Sequence, residues 1–436
     1  MNRTVLRFGA LAAAATLTLS ACGRDDGGDG GSAGGEGDGD IATDIGVTSE
    51  PCPDAVNEDN GCIYLGIISD LTGPFAPIGV PLTEGGKAFW AKVNADGGIG
   101  GYDIDVSSNV KDNQYNPDVH ARVYNEMKGD VLAMAQSLGT VATEAMLRDP
   151  DAEELVVIPA TLGSNWLFED RVLEIGTSYC AEAMNIVDHA VDELGAENIV
   201  TVHFEGDYGD DAAKGAEAVA EARDVEYTSI SMNPGADPAP VVAQIMRANP
   251  DVVVVATAPT ELAQIVGGAA QAGFQGQFIG STPTWNAALL DSPAAPALEA
   301  LYTWANVSPG WDADTPGHEE MRAAAEEAGQ DPNEYFVLGY AGSYVMRAAL
   351  EAAVENGDLT RAGLLEAAQN LDGVDTQGLL PEGTGNYVGD PNEIALRTTY
   401  LLKPSQEGST GASLEVDGFT GPTTEGFEFE QACYLM

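Results

Sequence analysis

Two short stretches rich in small and hydroxyl-bearing residues, Ser137-Leu138-Gly139-Thr140 and Ala160-Thr161-Leu162-Gly163-Ser164, carry the groups in this chain best suited to hold a ligand. The first ends an apolar run and opens a helical pattern, so its hydroxyls and free backbone N–H groups can receive a carboxylate. The second is the next loop on the same edge. Each Ser or Thr could equally serve as an ordinary helix cap, and capping does not prevent contact with a ligand. This chemistry is recognition rather than catalysis. The four histidines, His120, His189, His203 and His318, fall outside any HExxH pattern, since His318-Glu319-Glu320-Met321-Arg322 lacks the second histidine. No Gly-Lys-Ser phosphate loop or dinucleotide glycine motif follows a strand. Gly30-Gly31-Ser32-Ala33-Gly34 matches the hydrolase nucleophile elbow in letters only, with no strand before it and no helix after it. Neither an enzyme, a metal nor a cofactor is expected.

The elements that must place these loops are legible as pattern. Ile63 to Ile68 is an apolar run, followed by a polar Gly/Pro loop from Asp70 to Gly79. An amphipathic segment then carries Leu82, Ala88, Phe89 and Val93 at helical spacing. The turn Gly97-Gly98-Ile99-Gly100-Gly101 and the alternating Ile104 and Val106 complete the opening unit of a parallel sheet. Further strands are expected at 131–136, 155–158, 199–204, 225–231, 252–257 and 278–280, with helices at 181–194, 208–223, 239–248 and 260–272. The run between Asp251 and Thr257 is apolar throughout, as in a strand buried on both faces. Residues 315–370 read as mainly helical, and a strand returns at 395–403. A chain of 436 residues with this alternation predicts an α/β protein of two doubly wound, Rossmann-like lobes around a cleft. Ligands in such sheets sit outside the carboxyl ends of the strands. Trp285, in the loop Ser281-Thr282-Pro283-Thr284-Trp285, either lines that edge or packs in the core. Phe75, Phe336 and Tyr340 are weaker candidates of the same kind.

Charge and cysteine usage set the surroundings. With 69 acidic against 18 basic residues, the formal net charge is -51. That excludes a nucleic-acid partner, which requires a basic footprint. It suits salty surroundings, where self-repulsion is screened over about 3 Å at 1 M salt; a polycationic or metal-ion partner is the sharper alternative. Residues 1–21 read as a secretory signal, with Arg3 and Arg7 before a short apolar stretch, Phe8 to Leu19. The ending Leu19-Ser20-Ala21-Cys22 resembles a bacterial lipobox, which implies lipidation of Cys22 and anchoring by acyl chains. Residues 22–61 then form a Gly/Asp-rich tether and a segment holding Cys52 and Cys62. The four remaining cysteines allow three pairings. The short separation of Cys52 and Cys62 favours a local bridge, which leaves Cys180 with Cys433.

The chain resembles the type I periplasmic-binding-protein lipoproteins, the leucine/isoleucine/valine-binding branch of ABC-importer receptors. The matching residues are Leu71-Thr72-Gly73-Pro74, Gly79, Gly85, Ala91 to Asn94, Gly97 to Gly101, Ile158-Pro159-Ala160-Thr161, Asp207-Tyr208-Gly209 and Gln271-Ala272-Gly273-Phe274. The resemblance implies three crossovers between lobes, with lobe one at 62–176 and 306–379 and lobe two at 177–305 and 380–436. It implies ligand contacts from Ser137, Thr140, Thr161, Gly163, Ser164, Tyr208, Thr282 and Trp285. It also implies a membrane-anchored monomer on the extracellular face that delivers a small ligand, a branched-chain amino acid or related carboxylate or amide, to an ABC permease. A receptor subunit signalling to a membrane partner is the alternative. One departure matters: relatives that bind amino acids place a Glu where this sequence has Ser281-Thr282-Pro283. Asp207, Asp210 or Glu261 would have to replace it, because an unpaired buried ammonium is costly.

Overall fold

In the computed structural model, residues 41–436 are described, and Ile41–Met436 forms one compact unit. The expected signal sequence, Cys22 and most of the tether lie outside the described residues. Among the described residues, no helix is long and apolar enough to cross a membrane.

The first lobe is organised by the strand Gly61–Ser69, in which all residues but Tyr64 are buried. It pairs in parallel with Ala133–Ser137 on one side, and Val157–Pro159 continues the sheet beyond. On its other side, Tyr102–Asp105 pairs with its first half and Val110–Asp112 with its second. Val47–Thr48 adds an antiparallel piece beside Cys62 and Ile63, and the Cys52–Cys62 disulfide closes the intervening loop. The helix Ala76–Ala95 runs along the helix Glu334–Glu355. Glycine makes that approach tolerable: a Cβ at Gly85 would lie 2.2 Å from the Phe336 carbonyl oxygen, and one at Gly339 only 1.9 Å from that of Leu82.

The second lobe is built on a seven-stranded sheet. Its parallel part runs Glu226–Met232, Asn198–Phe204, Val252–Ala256, Gln277–Gly280, Tyr302–Asn306, and an antiparallel pair, Thr399–Pro404 and Ala412–Phe419, completes it. Val252–Ala256 is buried at every residue, as its uninterrupted apolar sequence requires. The chain passes between the lobes three times: after Val157–Pro159, after Tyr302–Asn306 and before Thr399–Pro404. The expected elements are present with small shifts. The strand expected at 395–403 is present but begins at Thr399 and ends at Pro404, and the short helix Pro391–Ile394, with its Asp390–Glu393 capping box, ends just ahead of the expected segment.

The lobes meet at several specific joints. Tyr335, at the start of Glu334–Glu355, donates its hydroxyl to the carbonyls of Thr282 (3.0 Å) and Trp285 (2.7 Å). Pro81 inside Ala76–Ala95 has no N–H to give the Pro77 carbonyl, which instead accepts from Asn286 Nδ2 at 3.3 Å. Asp211, on the helix Asp207–Arg223, accepts from the Ser164 N–H at 3.0 Å and from Ser164 Oγ at 2.5 Å. The Cys180–Cys433 disulfide holds the C-terminal tail against this joint, where the Cys433 N–H donates to Ser164 Oγ at 2.8 Å. Tyr434 then reaches Glu144 on the helix Thr140–Leu147 at 2.7 Å.

Three of the buried carboxyls titrate unusually. Burial pushes Glu182 up to about 8 and both Asp211 and Glu334 up to about 7, although hydroxyl and N–H donors oppose the shift. The native state therefore holds protons that the unfolded chain releases from roughly pH 4 upward. Stability from these groups is fully present below that pH and is lost as pH rises through about 7 to 8. The melting temperature is expected to fall between pH 5 and pH 8 at fixed high salt, and Glu334→Gln should flatten the slope. A melting temperature that rises over that interval would contradict this assignment.

Candidate functional site

From the cleft between the lobes, three adjoining hollows lead inward, the last of them into the first lobe. The outer one, about 210 Å³, lies between the start of helix Thr140–Leu147 and the start of helix Asp207–Arg223. A middle constriction of about 30 Å³ follows, sharing Tyr115, Leu138, Thr140 and Tyr208 with the outer hollow. An inner crevice of about 40 Å³ continues it through Ile78, Ala160, Thr161, Tyr179 and Pro283. More than twenty residues line that small inner volume, so it is a narrow slot rather than a chamber.

The polar features cluster at the outer end. Both helices begin at a glycine of positive φ, Gly139 (104°) and Gly206 (110°), and Gly139 provides no side-chain cap. Their first N–H groups and their dipoles therefore favour an anion at the mouth. Thr140 adds a buried hydroxyl with no hydrogen-bond partner. Such an orphan is expensive unless something else satisfies it. Among the described residues, the middle and inner hollows are lined without a single Asp, Glu, Lys or Arg, and Glu205, at the outer mouth, is the one charged side chain along the path.

Of the residues singled out from sequence, the structure brings Thr140, Thr161, Tyr208 and Thr282 to this path. Thr161 Oγ1 accepts from the Trp166 indole at 3.3 Å. The Tyr208 hydroxyl, with its pKa pushed up by burial, pairs with Ser281 Oγ at 2.6 Å, and its ring meets Tyr179 at 4.6 Å. Thr282 gives both its N–H and its hydroxyl to Glu182. The other four do not line the path. Ser137 is paired with Thr143 (2.7 Å) and His120 (3.4 Å) inside the first lobe. Gly163 packs against Asn165 and Thr140, and Ser164 is engaged by Asp211. Trp285 is fully buried, stacked on Trp304 at 4.4 Å. Phe75 does line the constriction, whereas Phe336 and Tyr340 are core residues.

Of the candidates to replace the missing Glu, the two described ones, Asp210 and Glu261, do not line the path. Asp210 receives the Gly206 N–H and pairs with His203 at 3.2 Å, and Glu261 receives the Gly235 N–H at 2.9 Å. The Asp207 side chain lies outside what the structure describes. At the constriction, two aromatic residues line the site without having been singled out, Tyr115 and Tyr179. Tyr115 has positive φ (51°), as does Gln114 (55°), and this uncommon backbone is held by Asn113 and Asp112 accepting their N–H groups. The turn-forming run Asp112-Asn113-Gln114-Tyr115-Asn116-Pro117, directly after the strand Val110–Asp112, was the available signal. Two other hollows, of about 470 and 670 Å³, share no residue with this path and are rich in carboxylates.

Known proteins share this arrangement. A family model described as periplasmic binding protein matches residues 63–408. The Leu/Ile/Val-binding protein homolog 3 of Brucella melitensis biotype 1 is 25% identical over 307 residues, spanning 68% of this chain and 80% of that protein. The fatty acid ABC transporter substrate-binding protein from Thermomonospora curvata superposes with a TM-score of 0.81 at 27% identity, over 89% of this chain and 97% of that one. A branched chain amino acid ABC transporter from Thermus thermophilus with bound valine has the same fold, with a TM-score of 0.72 at 17% identity, over 84% of this chain and 98% of that one.

Proposed function

The chain belongs to the periplasmic binding protein family, and from that premise we propose that it is the extracellular receptor of an ABC importer for a carboxylate that carries an apolar chain and no amine. The observation that supports this reading best is the absence, among the described residues, of any charged side chain along the middle and inner hollows. A free amino acid with its carboxylate at Thr140 would place its ammonium one carbon further in, at the constriction, where no described side chain carries a charge to meet it, a penalty of several kcal/mol. A carboxylate alone is accommodated: the two helix starts and the Thr140 hydroxyl offer donors at the mouth. The apolar walls receive the rest of the molecule. The likeness to a fatty acid ABC transporter substrate-binding protein favours the same chemistry.

Capture is physical. The ligand sits between the lobes, and closure across Tyr335, Asn286 and the Asp211–Ser164 joint removes it from water. The closed shape is then what a permease would recognise. Lipid attachment at Cys22 would keep the receptor at the outer face of the membrane, within reach of that permease.

A thermal-shift panel on Ile41–Met436 at high salt tests the ligand class, comparing straight-chain monocarboxylates with their methyl esters and the corresponding primary amines. Acids at about 100 times their dissociation constant should add about 2.7 kcal/mol of stability, whereas esters and amines should add little. Thr140→Val should weaken the response to acids about tenfold in affinity, the loss of one charge-assisted hydrogen bond. Stabilisation by the amines but not the acids would refute the reading. For the anchor, Cys22→Ser should release the protein into the medium; a variant that still requires detergent for extraction would rule the lipid anchor out.

A further inference from the structure

The inner crevice does not lie between the lobes. It lies inside the first one, between its sheet and its helical layer. Ile67 and Ile158 form the sheet side, and Leu82, Gly86 and Gly342 the helix side. Protein cores normally close such gaps, because lost contacts go unrecovered. Here the gap is kept open by residue choice. Gly85 is required by the close approach of the two helices, but its neighbour Gly86 is not: a Cβ there would meet nothing nearer than Ser343 Oγ at 3.7 Å and the Gly339 carbonyl at 3.8 Å. Gly86 thus leaves unfilled space in the middle of a core helix, where glycine itself is unfavourable by about 1 kcal/mol.

The crevice also offers water very little. The Gln136 amide nitrogen is already committed to Ser69 at 2.7 Å and Thr83 at 3.1 Å, and Ser343 donates to the Gly339 carbonyl at 2.9 Å. The unpartnered Trp90 indole N–H can offer one hydrogen bond, too few by itself to hold a water. A buried water needs two to four polar partners, so this slot suits hydrocarbon. Its mouth opens at Thr282, Pro283 and Tyr335, where the second lobe closes over it.

We propose that the hydrocarbon tail of the ligand threads into this crevice within the first lobe, and that Gly86 sets how long a tail is accepted. The proposal rests on the carboxylate reading above and adds to it the path and the stop. The carboxylate stays at the Thr140 end, in the cleft, while successive methylenes enter between helix and sheet. The narrow section admits an unbranched chain and excludes rings. Lobe opening uncovers the mouth, and closure seals the tail inside.

Equilibrium titration of Ile41–Met436 with hexanoate and with myristate, in the wild type and in Gly86→Leu, tests the proposal. Each methylene that enters the crevice should tighten binding about fourfold until the tail reaches the stop at Gly86, so the wild type should prefer myristate to hexanoate. Gly86→Leu should weaken myristate about tenfold or more while leaving hexanoate, whose tail stops short of Gly86, unchanged. If Gly86→Leu does not fold, Ser343→Met narrows the same point from the opposite helix and must give the same selective loss. An unchanged myristate affinity in the filled variant, or an equal loss for both acids, would overturn the tail path while leaving the carboxylate reading standing. A wild type that binds neither acid would bring down both.

Discussion

A charge taken out of water must find a partner inside the protein or cost several kcal/mol, and that constraint governs both how this molecule closes and what it can hold. At three of the buried carboxyls donors converge, whereas Glu174 Oε1 is left without a partner. Asp211 has Ser164 and the Cys180 N–H, Glu334 has Thr410 and the Trp311 N–H, and Glu182 has Thr282. Along the inner ligand path the same constraint is met differently, by leaving charge out. What remains to meet a ligand's charge is a pair of helix starts at the mouth, which favour one sign only.

Closure and binding share parts. The helix Glu334–Glu355 supplies Glu334 and Tyr335 to the joint between lobes and, two turns on, Gly342 and Ser343 to the inner crevice. The helix Ala76–Ala95 does likewise, offering the Pro77 carbonyl to Asn286 at one end and Gly86 to the crevice further along. A tail seated between these helices therefore touches the same rigid elements that carry the interlobe contacts. The C-terminal tail, pinned by Cys180–Cys433, ties the second lobe to the helix that bears Thr140. Ligand occupancy and lobe closure are in this way biased by the same few residues.

Much of the fold is written in local pattern. Val252–Ala256 has no polar residue and is buried throughout, and the amphipathic spacing of Leu82, Phe89 and Val93 predicts the helix Ala76–Ala95. The edge strand Ala412–Phe419 is not legible in this way, because its outward residues, Glu415 and Asp417 among them, dilute the apolar signal. The site divides along the same line. Thr140 and Tyr208 sit at helix starts after strands, where topology alone brings them to the cleft. Ser164 has the same local appearance, yet its hydroxyl is committed to Asp211, 47 residues away. Trp285 is an aromatic in a cleft-edge loop that finds Trp304 and Tyr302 to stack on. The crevice at Gly86 is invisible in sequence, since a glycine that permits close packing and one that leaves a void look alike until the neighbouring helix is in place.

The most direct test of the central claim, that this cleft accepts a carboxylate but has no place for an ammonium, is isothermal titration calorimetry with a matched pair, decanoic acid and its 2-amino derivative. The two differ by a single amine on the carbon beside the carboxylate. The structure predicts that the plain acid binds about a hundredfold more tightly or better, since burying the unpartnered ammonium costs several kcal/mol. Equal affinity, or preference for the amino acid, would mean that a carboxylate reaches the ligand after all, and the account of this cleft would be wrong.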